Sequence, residues 1–100
     1  MATAQSYTLK KAGSSFADVD EARADIRATC DNASYFTYID ALVADGKLSM
    51  NETFDVDTQT YTNTRTWDDA ELANWDTNHT STSVTHQSKL TAAGYTITVA

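Results

Sequence analysis

The threonines at alternate positions from Thr58 to Thr66 constrain the fold of this chain more than any other feature. A period of two is typical of a β-strand, whose successive side chains point to opposite faces. The preceding stretch, 48–56, alternates in the same way between apolar and polar residues. We therefore predict a β-hairpin over 48–67 with one wholly polar face.

The turn of this hairpin decides which side chains share a face. A turn with an even number of residues around Asp57 and Thr58 keeps the polar and apolar sets apart, whereas a slip of one residue would mix them. The predicted polar face carries Thr60, Thr62, Thr64 and Thr66 opposite Ser49, Asn51, Thr53 and Asp55. The predicted apolar face carries Leu48, Met50, Phe54 and Val56 with Tyr61 and Trp67.

The residues before the hairpin predict one strand and two helices. Tyr7 and Leu9 alternate with polar residues, which indicates a short strand closed by Gly13. Ser14 and Ser15 then predict the start of a helix with acidic residues in its first turn. Its apolar face comprises Phe16, Val19, Ile26 and Cys30. Asp31 and Asn32 predict a break, and a second helix carries the apolar stripe Tyr35, Phe36, Ile39, Leu42 and Val43 and ends at Asp45 and Gly46.

The residues after the hairpin repeat this pattern in reverse. Asp68 and Asp69 predict a cap for a helix over 70–75, and 78–83 is a polar interruption. A last helix over 83–93 carries Val84, Gln87 and Leu90 on one side and stops at Gly94. Alternation over 95–99 predicts a terminal strand.

The resulting element order, β-α(α)-β-β-α(α)-β, predicts an α+β fold. It corresponds to the ferredoxin-like plan, in which a four-stranded antiparallel sheet has helices on one face. At 100 residues the chain can bury one modest core, so we expect a single domain over 1–100.

The charge of the chain disfavours two classes of partner. Its net charge is −7, and its seven Lys and Arg residues are scattered, whereas nucleic acids and anionic membranes are bound by clustered cations. No signal peptide or membrane-spanning segment is evident, so we expect a soluble protein and assign it to the cytoplasm by default. The lone Cys30 excludes an internal disulfide.

One cluster on the hairpin has the residue types of a small-ligand site. The third strand is central in the ferredoxin-like plan, and its covered face would bury Asn63 and Arg65, which is costly for polar groups without partners. Glu52 would lie opposite or diagonal to Arg65, so an ion pair could satisfy both. With the aromatic neighbours, the candidate ligand-binding residues are Glu52, Asn63, Arg65, Tyr61 and Trp67. Alternatively, the long hairpin projects beyond the helices and this portion lies in water or against another subunit.

The histidines and the cysteine do not form a metal-site pattern. His79 and His86 are seven residues apart, two helical turns, and the short ligand spacings of zinc sites are absent. We expect no metal and no cofactor, with both histidines exposed to solvent near a helix start. Cys30 is expected to be a small buried apolar residue.

Two functions follow as hypotheses. The first is a non-enzymatic domain that acts through protein contacts, with self-association through the face formed by Thr60, Thr62, Thr64 and Thr66, because this face has few of the charges that protect sheets from pairing. The alternative is a small ligand-binding module or enzyme that uses the Arg65 cluster. A concave pocket around Arg65 would favour the alternative, and a flat or subunit-covered surface would favour the first.

Overall fold

The computed structural model describes residues 2–30 and 33–99 and confirms the α+β fold class. Its elements follow the predicted order. They are β1 Ala2–Lys11, α1 Val19–Cys30, α2 Ala33–Ala44, β2 Leu48–Asp55, β3 Thr60–Asp68, α3 Asp69–Asn78, α4 Thr80–Ala92 and β4 Tyr95–Val99. The predicted break at Asp31 and Asn32 lies outside the described residues.

The four strands form one antiparallel sheet in the order β2-β3-β1-β4, so β3 is central as predicted. Leu48 pairs with Trp67 and Asp55 with Thr60. The turn therefore has four residues, and its even length confirms the separation of the two faces. Val56 was expected on the apolar face but lies in this turn and is 51% exposed.

The helices cover one face of the sheet, and the core lies between them. One cluster of buried side chains lies under α1 and α4. It comprises Leu9, Ala22, Ile26, Cys30, Tyr61, Leu90 and Tyr95. A second cluster lies under α2 and α3 and comprises Tyr35, Ile39, Leu48, Trp67 and Trp75. Phe36 packs against both clusters, which joins them into one layer.

The first helix begins later than the serines predicted. Asp18 Oδ1 accepts a hydrogen bond of 3.0 Å from the Glu21 amide, and the Glu21 carboxylate accepts one from the Ala17 amide. This reciprocal arrangement caps α1. The preceding loop is held instead by Gln59 of the hairpin turn, whose side-chain amide accepts from the Phe16 amide at 2.7 Å and donates to the Phe16 carbonyl at 3.0 Å.

The second half of the chain agrees with the sequence at one helix start and differs at the other. Asp68 caps α3 as predicted, because its side chain accepts a hydrogen bond from the Glu71 amide. The polar stretch 78–83 is not an interruption, since α4 already begins at Thr80. Among the side chains of α4 whose burial is described, His86 and Leu90 are buried, and Val84 is 56% exposed. None of the described helices is long and apolar enough to cross a membrane.

Candidate functional site

A cavity lies between the covered face of the sheet and the helices α1, α2 and α4. Its volume is about 60 Å³, and it is open to solvent on one side. Much of its wall is apolar, and the aliphatic and phenyl groups come from both layers. They are Leu9, Ile26, Phe36, Ile39, Leu90 and Ile97. Concave apolar cavities with a few polar groups are the usual sites for small molecules.

All three arginines of this acidic chain line the cavity. Arg23 and Arg27, four residues apart on α1, both have carboxylate partners. The nearest Arg23–Glu52 contact is 3.0 Å and the nearest Arg23–Asp20 contact is 2.7 Å, whereas Arg27 makes a two-point contact with Asp40 at 3.0 and 3.1 Å. These two positive charges are therefore neutralised by the protein itself.

Arg65 differs from the other two arginines because it is buried without a carboxylate. It is 9% exposed, and none of the described carboxylates lies within 4 Å of it. Its Nη1 donates a hydrogen bond of 2.8 Å to the hydroxyl of Tyr35, and its guanidinium lies 5.3 Å from the ring centre of Tyr7 and 5.7 Å from that of Tyr35. Its Nε has no hydrogen-bond acceptor among the described residues.

The predicted ion pair between Glu52 and Arg65 does not form. Glu52 lies directly opposite Asn63 and only diagonal to Arg65, because the hairpin register differs by two residues from the one that would align them. Its carboxylate accepts hydrogen bonds from Arg23 on α1 and from the Tyr61 hydroxyl. Burial, together with this carboxylate, raises the pKa of Tyr61. Tyr61 therefore remains a neutral donor to Glu52.

The other two predicted site residues occupy different places. Asn63 lines the cavity, is 5% exposed and makes one weak contact, from Nδ2 to the Met50 sulfur at 3.5 Å; its Oδ1 has no partner in the described part of the chain. Trp67 does not line the cavity. It belongs to the core under α3, where its ring lies 5.7 Å from that of Trp75. The structure thus brings together Glu52, Asn63, Arg65 and Tyr61 and leaves Trp67 outside.

His86 is part of the cavity wall, which corrects the expectation that it is exposed. Its ring stacks on Tyr35 at 3.7 Å between centroids and meets Phe36 edge to face at 5.4 Å. Burial, and secondarily the charge of Arg65, lower the pKa of His86 to about 4, so the imidazole is neutral near pH 7. Its Nδ1 has no partner among the described residues.

Cys30 lies beside His86 but is not activated by it. The Sγ to Nε2 distance is 3.9 Å, and burial raises the pKa of the thiol to about 11. A thiol in this environment stays protonated, which agrees with the predicted packing role. His79 is partly buried, against expectation, between the rings of Tyr38 and Trp75. The described residues contain no group of three or more His, Cys, Asp or Glu side chains suited to a metal.

The opposite face of the sheet, here called the threonine face, consists of side chains on the strands away from the helices. Thr53, Thr62, Thr8 and Thr98 are consecutive partners and form a row across all four strands. In the next row the Ser6 and Thr64 hydroxyls are 3.1 Å apart. The predicted interface residues Thr60, Thr62, Thr64 and Thr66 all lie on this face and are half-buried by their neighbours.

Sequence reasoning did not identify Arg23, Arg27, Tyr35 or His86 as residues of the cavity. Arg23 and Arg27 could have been found, because a spacing of four places both on one side of α1. Tyr35 and His86 gave no such signal, since an aromatic residue on an apolar helix stripe and a histidine in a polar stretch are both common. No known protein family matches this chain, and comparison with curated proteins and with solved structures found no match.

Proposed function

We propose that this protein is a small-molecule-binding domain whose ligand occupies the cavity and contacts Arg65. The observation that carries the proposal is the isolated charge of Arg65, which lines the cavity with no described carboxylate within 4 Å. Arg23 and Arg27 have such partners in the same cavity, so the chain supplies carboxylates to two arginines and leaves the third without one.

The physical argument is the cost of an isolated buried charge. Removing a charge from water is unfavourable unless a counter-charge or strong hydrogen bonds replace the lost hydration. Arg65 has one hydrogen bond to Tyr35 and the faces of two tyrosine rings, which compensate only part of this cost. A ligand group that accepts hydrogen bonds from the guanidinium would remove the deficit, and the apolar wall would bind the rest of the ligand.

Binding rather than catalysis fits the neighbouring side chains. The Cys30 thiol is held protonated by burial and does not line the cavity, and the Glu52 carboxylate already accepts hydrogen bonds from Arg23 and Tyr61. We therefore assign Glu52 a role in positioning Arg23 and Tyr61.

A screen of small molecules tests the proposal. The ¹⁵N-labelled protein is titrated with a set of small acids, amides, alcohols and amines, and shifted resonances are mapped on the structure. We expect ligands that shift cavity residues such as Ile26, Asn63 and Leu90, and that lose affinity in Arg65→Met. The matched control is Lys10→Met, which removes one positive charge from the threonine face. A screen in which every shift maps outside the cavity would overturn the proposal.

A second candidate function is self-association through the threonine face. It is favoured by the row of four threonines across the sheet, because hydroxyls both donate and accept hydrogen bonds and such a face is complementary to its own copy. The charged strand residues of this face, Lys10, Asp55 and Asp68, are at or next to strand ends. A second copy could therefore pack on the centre of the face without burying a charge.

Sedimentation at micromolar concentration tests this second candidate. We expect a dimer that is weakened by Thr62→Lys with Thr64→Lys, because these changes place two like charges of each copy in the interface. Thr37→Lys with Thr77→Lys is the control, since it adds the same charge at exposed helix positions. A wild-type protein that sediments only as a monomer would contradict self-association and leave the cavity proposal unaffected.

A further inference from the structure

We infer that the cavity ligand is an apolar monocarboxylate whose carboxylate binds the guanidinium of Arg65. This inference rests on the proposed binding function and adds the chemical class of the ligand. Three properties of the cavity carry it: the charge that remains after internal pairing, the free side of the guanidinium, and the apolar wall.

The charge of the cavity matches a single negative charge. Glu52, which lines the cavity, offsets Arg23, and Asp40 offsets Arg27. The second partner of Arg23, Asp20, is 80% exposed outside the cavity, so water screens most of its charge. Among the described residues that line the cavity, Arg65 is the cation with no described carboxylate within 4 Å. A monoanion therefore completes the charge balance.

The same count disfavours a phosphate group. A phosphate monoester carries close to two negative charges near pH 7, so it requires a second cation or several backbone N–H groups. Glu52 lines the same cavity, and its carboxylate would repel a second negative charge. A carboxylate carries a single charge, so it needs no second cation and meets about half of this repulsion.

The guanidinium of Arg65 offers the hydrogen-bonding geometry of a carboxylate site. Its Nη1 is occupied by Tyr35, and its Nε has no acceptor among the described residues. Arginine binds carboxylates through two parallel N–H groups, and the side of the fork that carries Nε is the side left for a ligand. Met50 pairs with Arg65 in the sheet register and lines the cavity, and its flexible side chain can move to admit the ligand.

The apolar wall of the cavity favours an apolar body for the ligand. Six aliphatic or phenyl side chains, from Leu9 on β1 to Ile97 on β4, surround the space beside Arg65. Burial of an apolar ligand body against them is favourable in proportion to the area removed from water. Asn63 Oδ1 and His86 Nδ1 have no described partners and could bind a single polar substituent.

Matched probes test this inference with the full chain. Benzoate, benzamide and phenylphosphonate share one ring and differ in charge, and hexanoate provides a flexible apolar acid. Each is titrated into ¹⁵N-labelled protein while the Arg65 Nε–H resonance and the cavity amides are followed. We expect benzoate or hexanoate to bind at least about tenfold more tightly than benzamide and phenylphosphonate, since hydrogen bonds between charged groups are the strong ones.

Two variants test whether Arg65 causes the preference for benzoate over benzamide. Arg65→Met should abolish the difference between benzoate and benzamide, whereas Lys10→Met should retain it. Equal binding of benzoate and benzamide at the wild-type cavity, or tighter binding of phenylphosphonate, would overturn the carboxylate assignment and leave the proposed binding function standing. If no probe and no compound of the wider screen shifts cavity resonances, both fail together. The comparison of probes on the wild-type protein does not depend on any variant folding.

Discussion

The guanidinium of Arg65 on the central strand donates a hydrogen bond of 2.8 Å to the hydroxyl of Tyr35 on α2. This bond joins the covered face of the sheet to the helical layer at the floor of the cavity. Tyr35 in turn stacks on His86 of α4 at 3.7 Å between centroids. Three elements therefore meet at one buried cation, and the geometry of the cavity depends on it.

We predict that Arg65→Met increases the stability of the ligand-free protein. Methionine fills a similar length with apolar atoms. Replacing a buried ion pair by well-packed apolar side chains is often neutral or stabilising by about 1–4 kcal/mol, and we expect the same direction for a buried charge without an ion-pair partner. Equilibrium unfolding in urea should therefore give an increase of about 1 kcal/mol or more. Arg27→Met is the matched control and should change stability by less than about 1 kcal/mol, because its partner Asp40 is largely exposed.

A marked loss of stability in Arg65→Met would contradict this prediction. It would show that the contacts of Arg65 with Tyr7 and Tyr35 outweigh the cost of burying the charge. In that case the isolated charge would be a structural feature of the core, and the argument for a ligand would lose its main support.

The architecture was predictable because it depends on periodicity. The alternation of Thr60 to Thr66 fixed the strand and, with an even turn, the face that is buried. The positions of Gly46 and Gly94, with φ of 75° and 98°, mark where α2 and α4 end, and glycine adopts this region without a steric cost. Helix starts were less predictable, because Ser14, Ser15 and Asp18 are all suitable N-cap residues. The hydrogen bonds between the Gln59 side chain and Phe16 hold the loop that precedes Asp18.

The candidate site was predictable only in part, because it depends on contacts between distant segments. The sequence placed Asn63 and Arg65 on the covered face but could not supply the partner of Glu52. That partner is Arg23, which is 29 residues away and is positioned by the docking of α1 on β2. Likewise the burial of His86 depends on the rotation of α4 about its axis, and the weak apolar pattern of that helix does not define a rotation.

We predict that Ile39→Ala destabilises the protein by about 2–5 kcal/mol, whereas Leu42→Ala costs less. Ile39 is 1% exposed in the core under α2, so its truncation leaves a cavity that the surrounding side chains cannot fill. Leu42 belongs to the predicted apolar stripe of this helix but is only partly buried at the edge of the same cluster. Urea unfolding of both variants measures the difference, and equal losses would contradict the burial order.

We predict that the side chain of Gln59 stabilises the hairpin turn, whereas the backbone conformation of Gln59 is unfavourable. Its amide group contacts Phe16, Ser14 and Val56, but its φ of 54° is unfavourable for a residue with a side chain. Gln59→Ala removes the hydrogen bonds of the side chain and keeps the unfavourable backbone conformation, so we expect a cost of about 1–3 kcal/mol. Gln59→Gly should cost about 1 kcal/mol less than Gln59→Ala, because glycine adopts positive φ freely. Thermal or urea unfolding of the two variants gives this difference directly, and an equal cost would show that the backbone is not strained.

The last prediction concerns the stability of the protein at acidic pH. The folded pKa of His86 is about 4, below the value near 6.5 expected in the unfolded chain, so between these values the unfolded state binds more protons. The contribution of His86 to stability is therefore complete above pH 6.5 and is lost as the pH falls towards 4, by about 3 kcal/mol at most.

Asp25 contributes to stability over a different pH range. Its partial burial is outweighed by hydrogen bonds from Tyr95 and Lys11, which lower its pKa, so the stability that it contributes is lost only below about pH 3.8. Urea unfolding from pH 7 to 4 should thus show a decline that His86→Phe flattens and that His79→Gln, which removes the other histidine of the chain, leaves in place. An unchanged slope in His86→Phe would show that His86 does not stay neutral in the folded protein.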